Sequence, residues 1–341
     1  MHGSALEVRL TARPVGHPSE SNFSLSETPI PEPADGELLV RNTWMSIDPS
    51  TRIRMDAGDS VYLPPFELGR ALESWAVGEV VESRASAFKT GDWVLHPLGW
   101  REYALLRADG PRFSAPTHIQ VDEHTPARAY LGPLSWVGLT SYVGLLNVAE
   151  LREHDVVFVS AAAGAVGNLA VQIAKLRGHT VIGSAGSAAK VRFLSEELGC
   201  DKAFCYRGRN VVDLLREAAP DGIDVYFDNV GGEHLEAALD VLRPRGRVAL
   251  CGSVSDYNRD QAVGPRNLFS AVAKGLTLRG FLAPLYGRQM DTFRREMRAW
   301  MAAGKIIYPE TLFHGLEQAP QALIAQLAGE NIGKVLVRLA T

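Results

Sequence analysis

The stretch that decides the fold runs from Val156 to Lys190 and reads VVFVSAAAGAVGNLAVQIAKLRGHTVIGSAGSAAK. Four apolar residues, Val156-Val157-Phe158-Val159, lead into Ala162-Ala163-Gly164-Ala165-Val166-Gly167. An amphipathic pattern then carries Val171, Ile173, Ala174 and Leu176. Strand, tight glycine turn and helix in succession form the phosphate-binding start of a dinucleotide fold. Gly164 lets the backbone approach a pyrophosphate, and Gly167 lets the helix pack closely on the strand. The helix N-terminus adds free N–H groups and the positive end of the helix dipole. Ala163, Gly164, Ala165, Val166 and Gly167 are therefore expected to cradle phosphates. Ala162 stands where the usual pattern has its first glycine. Context supplies what the bare motif lacks, because a second apolar strand, Thr180 to Gly183, follows at the spacing of a parallel βαβ unit.

The end of that second strand selects the nucleotide. An NAD site places Asp or Glu about 20 residues downstream, where it bonds the ribose hydroxyls. Here Gly183-Ser184-Ala185-Gly186-Ser187 carries no acid, and Lys190 follows one helical turn later. Nothing in this segment repels a 2′-phosphate, and Lys190 offers it an opposite charge. A charge-assisted contact of that kind is worth on the order of 1.5–3 kcal/mol. The competing reading makes Lys190 a solvated residue at a helix start. The expectation is NADP(H), with Gly186, Ser187 and Lys190 at its phosphate-bearing ribose.

Composition bounds the rest. At 341 residues the chain should divide into two domains, since single cores stop growing at roughly 250–300 residues. Hydrophobic residues make up 46% and charged residues 22%, the balance of an ordinary globular protein. The net charge of −4 offers no basic footprint for nucleic acid or an anionic membrane. The apolar runs are only strand-length, so no transmembrane helix is expected. Glu7 and Arg9 interrupt the first ten residues, which lack a signal-peptide core. Three cysteines, Cys200, Cys205 and Cys251, without paired spacing argue for reduced thiols in a cytoplasmic protein and against a structural zinc site.

Residues 1 to about 125 read as β-rich, with strands at Leu38–Arg41, Val77–Val81 and Trp93–Leu95 punctuated by Pro and Gly. From about 126 to 310 strands alternate with helices. Strands are expected near 156–160, 180–183, 202–205, 224–228, 246–251 and 276–281, which means a doubly wound parallel sheet. A helix over 316–328 and a strand from Val335 to Leu339 close the chain and should rejoin the first domain.

Five segments carry a family resemblance: Ala161 to Gly167; Gln172-Ile173-Ala174-Lys175; Tyr226-Phe227-Asp228-Asn229-Val230-Gly231-Gly232; Cys251-Gly252 with Tyr257-Asn258-Arg259; and Gly329-Glu330-Asn331-Ile332-Gly333-Lys334. Together with Ser46-Ile47-Asp48-Pro49 they span most of the chain. In that order they resemble the zinc-independent medium-chain dehydrogenase/reductases, within them the NADPH-dependent alkenal double-bond reductases. That group includes the leukotriene B4 dehydrogenase/prostaglandin reductases and curcumin reductases. The resemblance implies a GroES-like domain at 1–125, completed by 311–341, and a Rossmann-type α/β domain at 126–310. It places the active site in the cleft between them.

The zinc branch of the superfamily has a Gly-His-Glu box where this chain has Glu73-Ser74-Trp75-Ala76, and the first half holds no cysteine. Without a thiolate and imidazole set no catalytic zinc is held, so no metal is expected. Reduction of an activated carbon–carbon double bond needs none: hydride reaches the β-carbon, and charge arrives on a carbonyl oxygen that hydrogen-bond donors stabilise.

The resemblance puts Tyr257 in the donor role, together with a cofactor ribose hydroxyl. A preorganised donor there is worth roughly 3–4 kcal/mol of barrier. Packing in a polar loop, Ser253 to Asp260, is the alternative for Tyr257. The resemblance also sets Tyr206 by the adenine ribose and 2′-phosphate. It sets Asn229, Cys251, Gly252 and Ser253 along the cofactor, Phe281, Leu282 and Ala283 beside the nicotinamide, and Asn331 near the cofactor from the last segment. Asn331 has a turn role as its alternative. One departure stands out. Reductases of this group often carry Asp-Pro-Tyr-Met-Arg, and here the run is Asp48-Pro49-Ser50-Thr51-Arg52, so substrate identity does not carry over. Trp44, Tyr62, Trp100 and Tyr286 are candidates for the pocket wall or for plain core. The expected protein is a homodimeric cytoplasmic enone or enal reductase. Its rivals are a quinone reductase of the same superfamily and a non-catalytic NADPH-binding protein.

Overall fold

The computed structural model describes residues 3–58, 63–111, 114–259, 261 and 263–339; Tyr62 and Asp260 lie outside them. The chain forms two compact units, one of Met1–Leu131 with Glu310–Thr341 and one of Gly132–Pro309.

The first unit opens with an antiparallel pair, β1 (Ser4–Leu10) and β2 (Phe23–Pro29). It continues through β3 (Glu37–Ile47), a short helix α1 (Ser50–Arg54), β4 (Ala76–Ser83), β5 (Trp93–His96), β6 (Tyr103–Arg107) and β7 (Thr117–His118). The second unit carries α2 (Trp136–Val143), β8 (Val156–Val159), α3 (Ala165–Leu176), β9 (Thr180–Ala185), α4 (Ala188–Glu196), β10 (Lys202–Cys205) and α5 (Val211–Ala218). It goes on with β11 (Ile223–Asp228), α6 (Gly232–Val241), β12 (Leu242–Leu250), α7 (Phe269–Lys274), β13 (Thr277–Gly280) and α8 (Met290–Ala302). The chain then returns to the first unit as β14 (Glu310–His314), α9 (Ala319–Leu327) and β15 (Lys334–Arg338).

The second unit is a six-stranded sheet in the order β10-β9-β8-β11-β12-β13, parallel throughout. This is the doubly wound order that reverses direction beside the first strand, and ligands gather at that reversal. The strands are apolar without alternation because helices cover both faces of a parallel sheet; Val157, Phe158 and Val159 are fully buried. Phe158 stacks on Tyr226 at 4.9 Å within a core that includes Ile182, Leu214 and Val248. The strand expected at 246–251 begins earlier, at Leu242.

In the first unit the sheet runs β14-β15-β3-β4-β5-β7, with β6 also paired to β3. β3 therefore bonds three neighbours along its length, and this explains why it extends well beyond the Leu38–Arg41 stretch that alternation alone reveals. The final strand, β15, lies between β14 and β3. The expected helix at 316–328 is a turn of 3₁₀ helix, Leu316–Gln318, followed by α9. α1 breaks the all-β reading: Pro49 sits at its N-terminal boundary, where a missing N–H costs nothing. Buried Lys334 ties the chain end to β3, donating to the Val335 carbonyl at 3.2 Å, to the Ile47 carbonyl and to Asp48 at 3.1 Å. Trp100 is completely buried and stacks on Phe23, which makes it core. Half-buried Trp44 has the guanidiniums of Arg128 and Arg338 each 5.9 Å from its ring centroid. Among the described residues, no helix is long and apolar enough to cross a membrane.

Two buried imidazoles lower the stability of the chain at acid pH. His96 accepts the Leu98 N–H on Nδ1 at 3.2 Å, so its Nε2 carries the proton and donates to Asn42 Oδ1 at 2.8 Å. Burial, and secondarily the charge of Arg101, drops its pKa to about 3; burial drops that of His234 to about 4. Each ring is neutral when folded and protonated below pH 6.5 when unfolded, so the unfolded chain binds more protons as pH falls. Stability contributed this way is complete above pH 6.5. It declines by up to roughly 1.4 kcal/mol per pH unit per ring toward the folded values. An NMR titration should find no protonation of the His96 ring above about pH 5. Titration near the ordinary histidine value would refute the burial argument.

Candidate functional site

The site is assembled at the C-terminal ends of the parallel strands. After β8 the chain turns at Ala161, whose φ of 46° is left-handed. The left-handed residue is thus Ala161 rather than Ala162, which stays buried and donates its N–H to the Ser184 carbonyl at the end of β9. Gly164 is the N-cap of α3, in extended conformation and with no side chain capping the helix. The first-turn N–H groups at Ala165, Val166 and Gly167 therefore point outward as a ready anion site. A Cβ at Gly167 would collide with the Ala161 carbonyl and stand 2.8 Å from Ala162 Cα. Glycine is required there by packing of helix on turn.

The end of β11 holds this turn against its neighbours. The Tyr226 hydroxyl donates to buried Asp228 Oδ1 at 2.7 Å and lies 2.9 Å from Ser160 Oγ. Asp228 Oδ1 also accepts the N–H groups of Val230 at 3.0 Å and Gly231 at 2.8 Å. Burial pushes the Asp228 carboxyl up while these donors pull it down. Its main-chain carbonyl accepts from Cys251 and Gly252, so one residue fastens the loops after β11 and β12. Asn229 donates its side-chain amide to the Ser160 carbonyl at 2.8 Å, tying β11 to β8.

Tyr257 arrives over this floor. A Cβ at Gly252 would stand 3.2 Å from the Tyr257 hydroxyl and 3.6 Å from the Asn229 carbonyl. The bare face of Gly252 thus admits the phenol beside Asn229. Ser253 Oγ donates to Asp256 and would collide with any Cβ at Gly231. Burial, and then the Asp228 carboxylate, push the Cys251 thiol up to about 12, away from the thiolate form.

A second cluster forms at the ends of β9 and β10. A Cβ at Gly186 would stand 3.2 Å from the Tyr206 hydroxyl and 3.4 Å from Arg207 Nε. Ser187 caps α4, accepting the Lys190 N–H at 3.3 Å. The Tyr206 ring is met edge-on by buried His234, with centroids 4.8 Å apart.

The expected site residues therefore fall into groups. Ala163 to Gly167, Asn229, Cys251, Gly252, Ser253 and Tyr257 surround the central strand ends. Gly186, Ser187, Lys190 and Tyr206 surround the ends of β9 and β10. Phe281, Leu282 and Ala283 follow β13, where the Phe281 ring packs edge-on against Phe227 and Tyr286 packs on Phe281. Asn331 belongs to the first unit and donates its amide to the Gly333 carbonyl at 2.8 Å, within the turn before β15. Reading the sequence alone missed Arg207, Asp228 and Ser160. An acid ending a buried strand before two glycines is the signal for Asp228.

A dinucleotide fits these residues: an uncapped helix start, glycines whose Cβ atoms would close the floor, and polar groups converging on Gly186. Residues 7–113 match a family model described as the N-terminal domain of oxidoreductase, and residues 165–302 one described as zinc-binding dehydrogenase. The chain is 37% identical over 338 residues to the NADPH-dependent curcumin reductase of Escherichia coli, covering 97% of this chain and 96% of that one. It is 37% identical over 330 residues to a 2-alkenal reductase (NADP(+)-dependent) of Nicotiana tabacum, covering 95% and 94%. The crystal structure of CurA from Vibrio vulnificus in complex with NADPH superposes with a TM-score of 0.92 at 36% identity, covering 99% of this chain and all of that one. These are oxidoreductases built on a nucleotide-binding sheet. The chain belongs to the medium-chain dehydrogenase/reductase superfamily, in the branch of the curcumin, alkenal and prostaglandin reductases. Although one matched model is described by its zinc, no group of three or more His, Cys, Asp or Glu is placed to hold a metal among the described residues.

Gly167→Ala should lower stability by about 1–3 kcal/mol, since the added methyl meets fixed backbone. Denaturant melts of the variant would check this; an unchanged midpoint would mean the turn relaxes freely.

Proposed function

We propose that this protein reduces the carbon–carbon double bond of α,β-unsaturated aldehydes and ketones with NADPH. The observation that carries the reading is the Tyr257 hydroxyl, set over the bare face of Gly252 at the C-terminal ends of the central strands. Near-full-length similarity to reductases named for curcumin and for 2-alkenals supports it.

The bound cofactor supplies the hydride that reaches the substrate β-carbon. As the hydride adds, the alkene π pair becomes the carbon–carbon double bond of an enolate and the carbonyl π pair moves onto oxygen; a proton from solvent then completes the α-carbon. The task of the chain is to stabilise that oxyanion and hold the reactants in place. The Tyr257 hydroxyl donates to the enolate oxygen, a contact stronger in the transition state than in the ground state. Glycines at 164, 186 and 252 keep the floor low enough for a nucleotide to lie along it, and Gly167 seats α3 on the turn beneath it. The N-terminus of α3 would hold the pyrophosphate, and Lys190 with Tyr206 the 2′-phosphate.

The working form is a homodimer in the cytoplasm. β13 is an edge strand of its sheet, and beside it Phe269, Val272 and Leu285 are each more than 70% exposed. Such an edge invites a second copy. The three cysteines are free, consistent with a reducing compartment.

Consumption of NADPH against a panel of enals, enones and quinones tests the reaction. Turnover with enones and none with quinones is expected; the reverse would make the protein a quinone reductase. Tyr257→Phe keeps the ring and removes the donor, so kcat should fall by up to about a hundredfold while NADPH affinity holds. A loss confined to cofactor affinity would move Tyr257 out of the chemistry and into cofactor packing.

A further inference from the structure

We infer that Arg207 is the second cation of the site that reads the ribose 2′-phosphate, acting with Lys190 across the bare face of Gly186, and that it governs the preference for NADPH over NADH. This rests on the NADP(H) reading above and names a residue beyond it.

Geometry carries the inference. Tyr206 donates its N–H to the Ala185 carbonyl at 3.2 Å, which locks the end of β10 beside the end of β9. The next residues form a turn closed by the Arg209 N–H on the Tyr206 carbonyl at 3.2 Å, with Gly208 in the left-handed region at φ 77°. That turn brings the Arg207 Nε to within 3.4 Å of the place a Cβ of Gly186 would occupy, beside the Tyr206 hydroxyl at 3.2 Å. One guanidinium and one phenol thus converge on a spot that only glycine leaves open. Buried His234 holds the Tyr206 ring edge-on, so the phenol is a fixed member of the group.

Lys190 senses the same neighbour. Its ammonium is held below the ordinary lysine range, first by burial and then by the positive charge of Arg207. Lys190 is half-buried and Arg207 exposed at its side; two like charges brought together cost the folded chain free energy, and a bound dianion reverses the sign of that cost. A phosphate monoester carries about −1.5 to −2 charges at pH 7 and three acceptor oxygens. The planar guanidinium can take two of those oxygens, and the ammonium a third. NADH, with a ribose hydroxyl in that place, offers no such charge.

Equilibrium binding tests this directly. NADPH and NADH would be titrated by nucleotide fluorescence, and adenosine 2′,5′-bisphosphate and adenosine 5′-phosphate by calorimetry. The proteins would be the wild type, Arg207→Met, Arg207→Lys and Lys190→Met. Arg207→Met should weaken NADPH and the bisphosphate by about tenfold or more, leaving NADH and the monophosphate within about twofold. Arg207→Lys should recover part of the loss, as a point charge without the fork. Wild-type affinity for NADPH in Arg207→Met would overturn the inference and leave the cofactor reading intact. So would an equal loss for NADPH and NADH, which would mark Arg207 as structural. A wild type that fails to prefer NADPH over NADH would overturn the cofactor reading itself.

Discussion

The buried carboxylate of Asp228 is the interaction on which the site depends. It ends a central strand, where parallel sheets collect their ligands, and it is fully engaged there. Its Oδ1 takes a phenol and two backbone N–H groups, and its carbonyl takes two more from the neighbouring loop. A buried carboxylate is costly unless donors surround it. Here the donors come from the loops that must be shaped around a nucleotide. Charge burial and loop geometry are therefore one problem with one solution, and the position of the Tyr257 hydroxyl follows from it.

A second constraint is the scarcity of side chains on the floor of the site. Helix α3 begins without a cap, Ala161 carries a left-handed turn, and glycines stand wherever a methyl would touch backbone or a functional group. Recognition there falls to main-chain N–H groups, which fit any phosphate diester. Selectivity must come from the few side chains at the rim. Under the proposed function, one phenol serves the reduction and a cluster around Gly186 the nucleotide preference.

Much of the architecture was legible in the sequence because its causes are local. Apolar runs at crossover spacing specify a parallel sheet, and Gly164 with Gly167 after such a run marks its first turn. The return of the last strand to the first domain was legible, but the partner and register of distant strands were not. The full length of β3 depends on β15, almost 290 residues away, and β1 pairs with β2 across a loop that carries no hairpin signature. The aromatic residues stayed open between pocket wall and core for the same reason: Trp100 is decided as core only when Phe23, stacked on it, is in view. Arg207 had no periodic signal; only the convergence of two strand ends gives it a meaning, and the missing Tyr at Ser50 leaves the substrate pocket to be read by experiment.

The first unit is discontinuous, and that shapes how the chain must fold during synthesis. The stretch of β3 from Trp44 to Ile47 keeps an unpaired edge until β15 exists, and Lys334, which anchors Ile47 and Asp48, is made only with it. The whole of Gly132–Pro309 is translated in between. At 5–20 residues per second that interval is roughly 10–40 s, during which the second unit has everything it needs and the first does not. The nucleotide-binding sheet is thus free to complete first, while an apolar strand edge waits on the ribosome, open to chaperones and to mispairing.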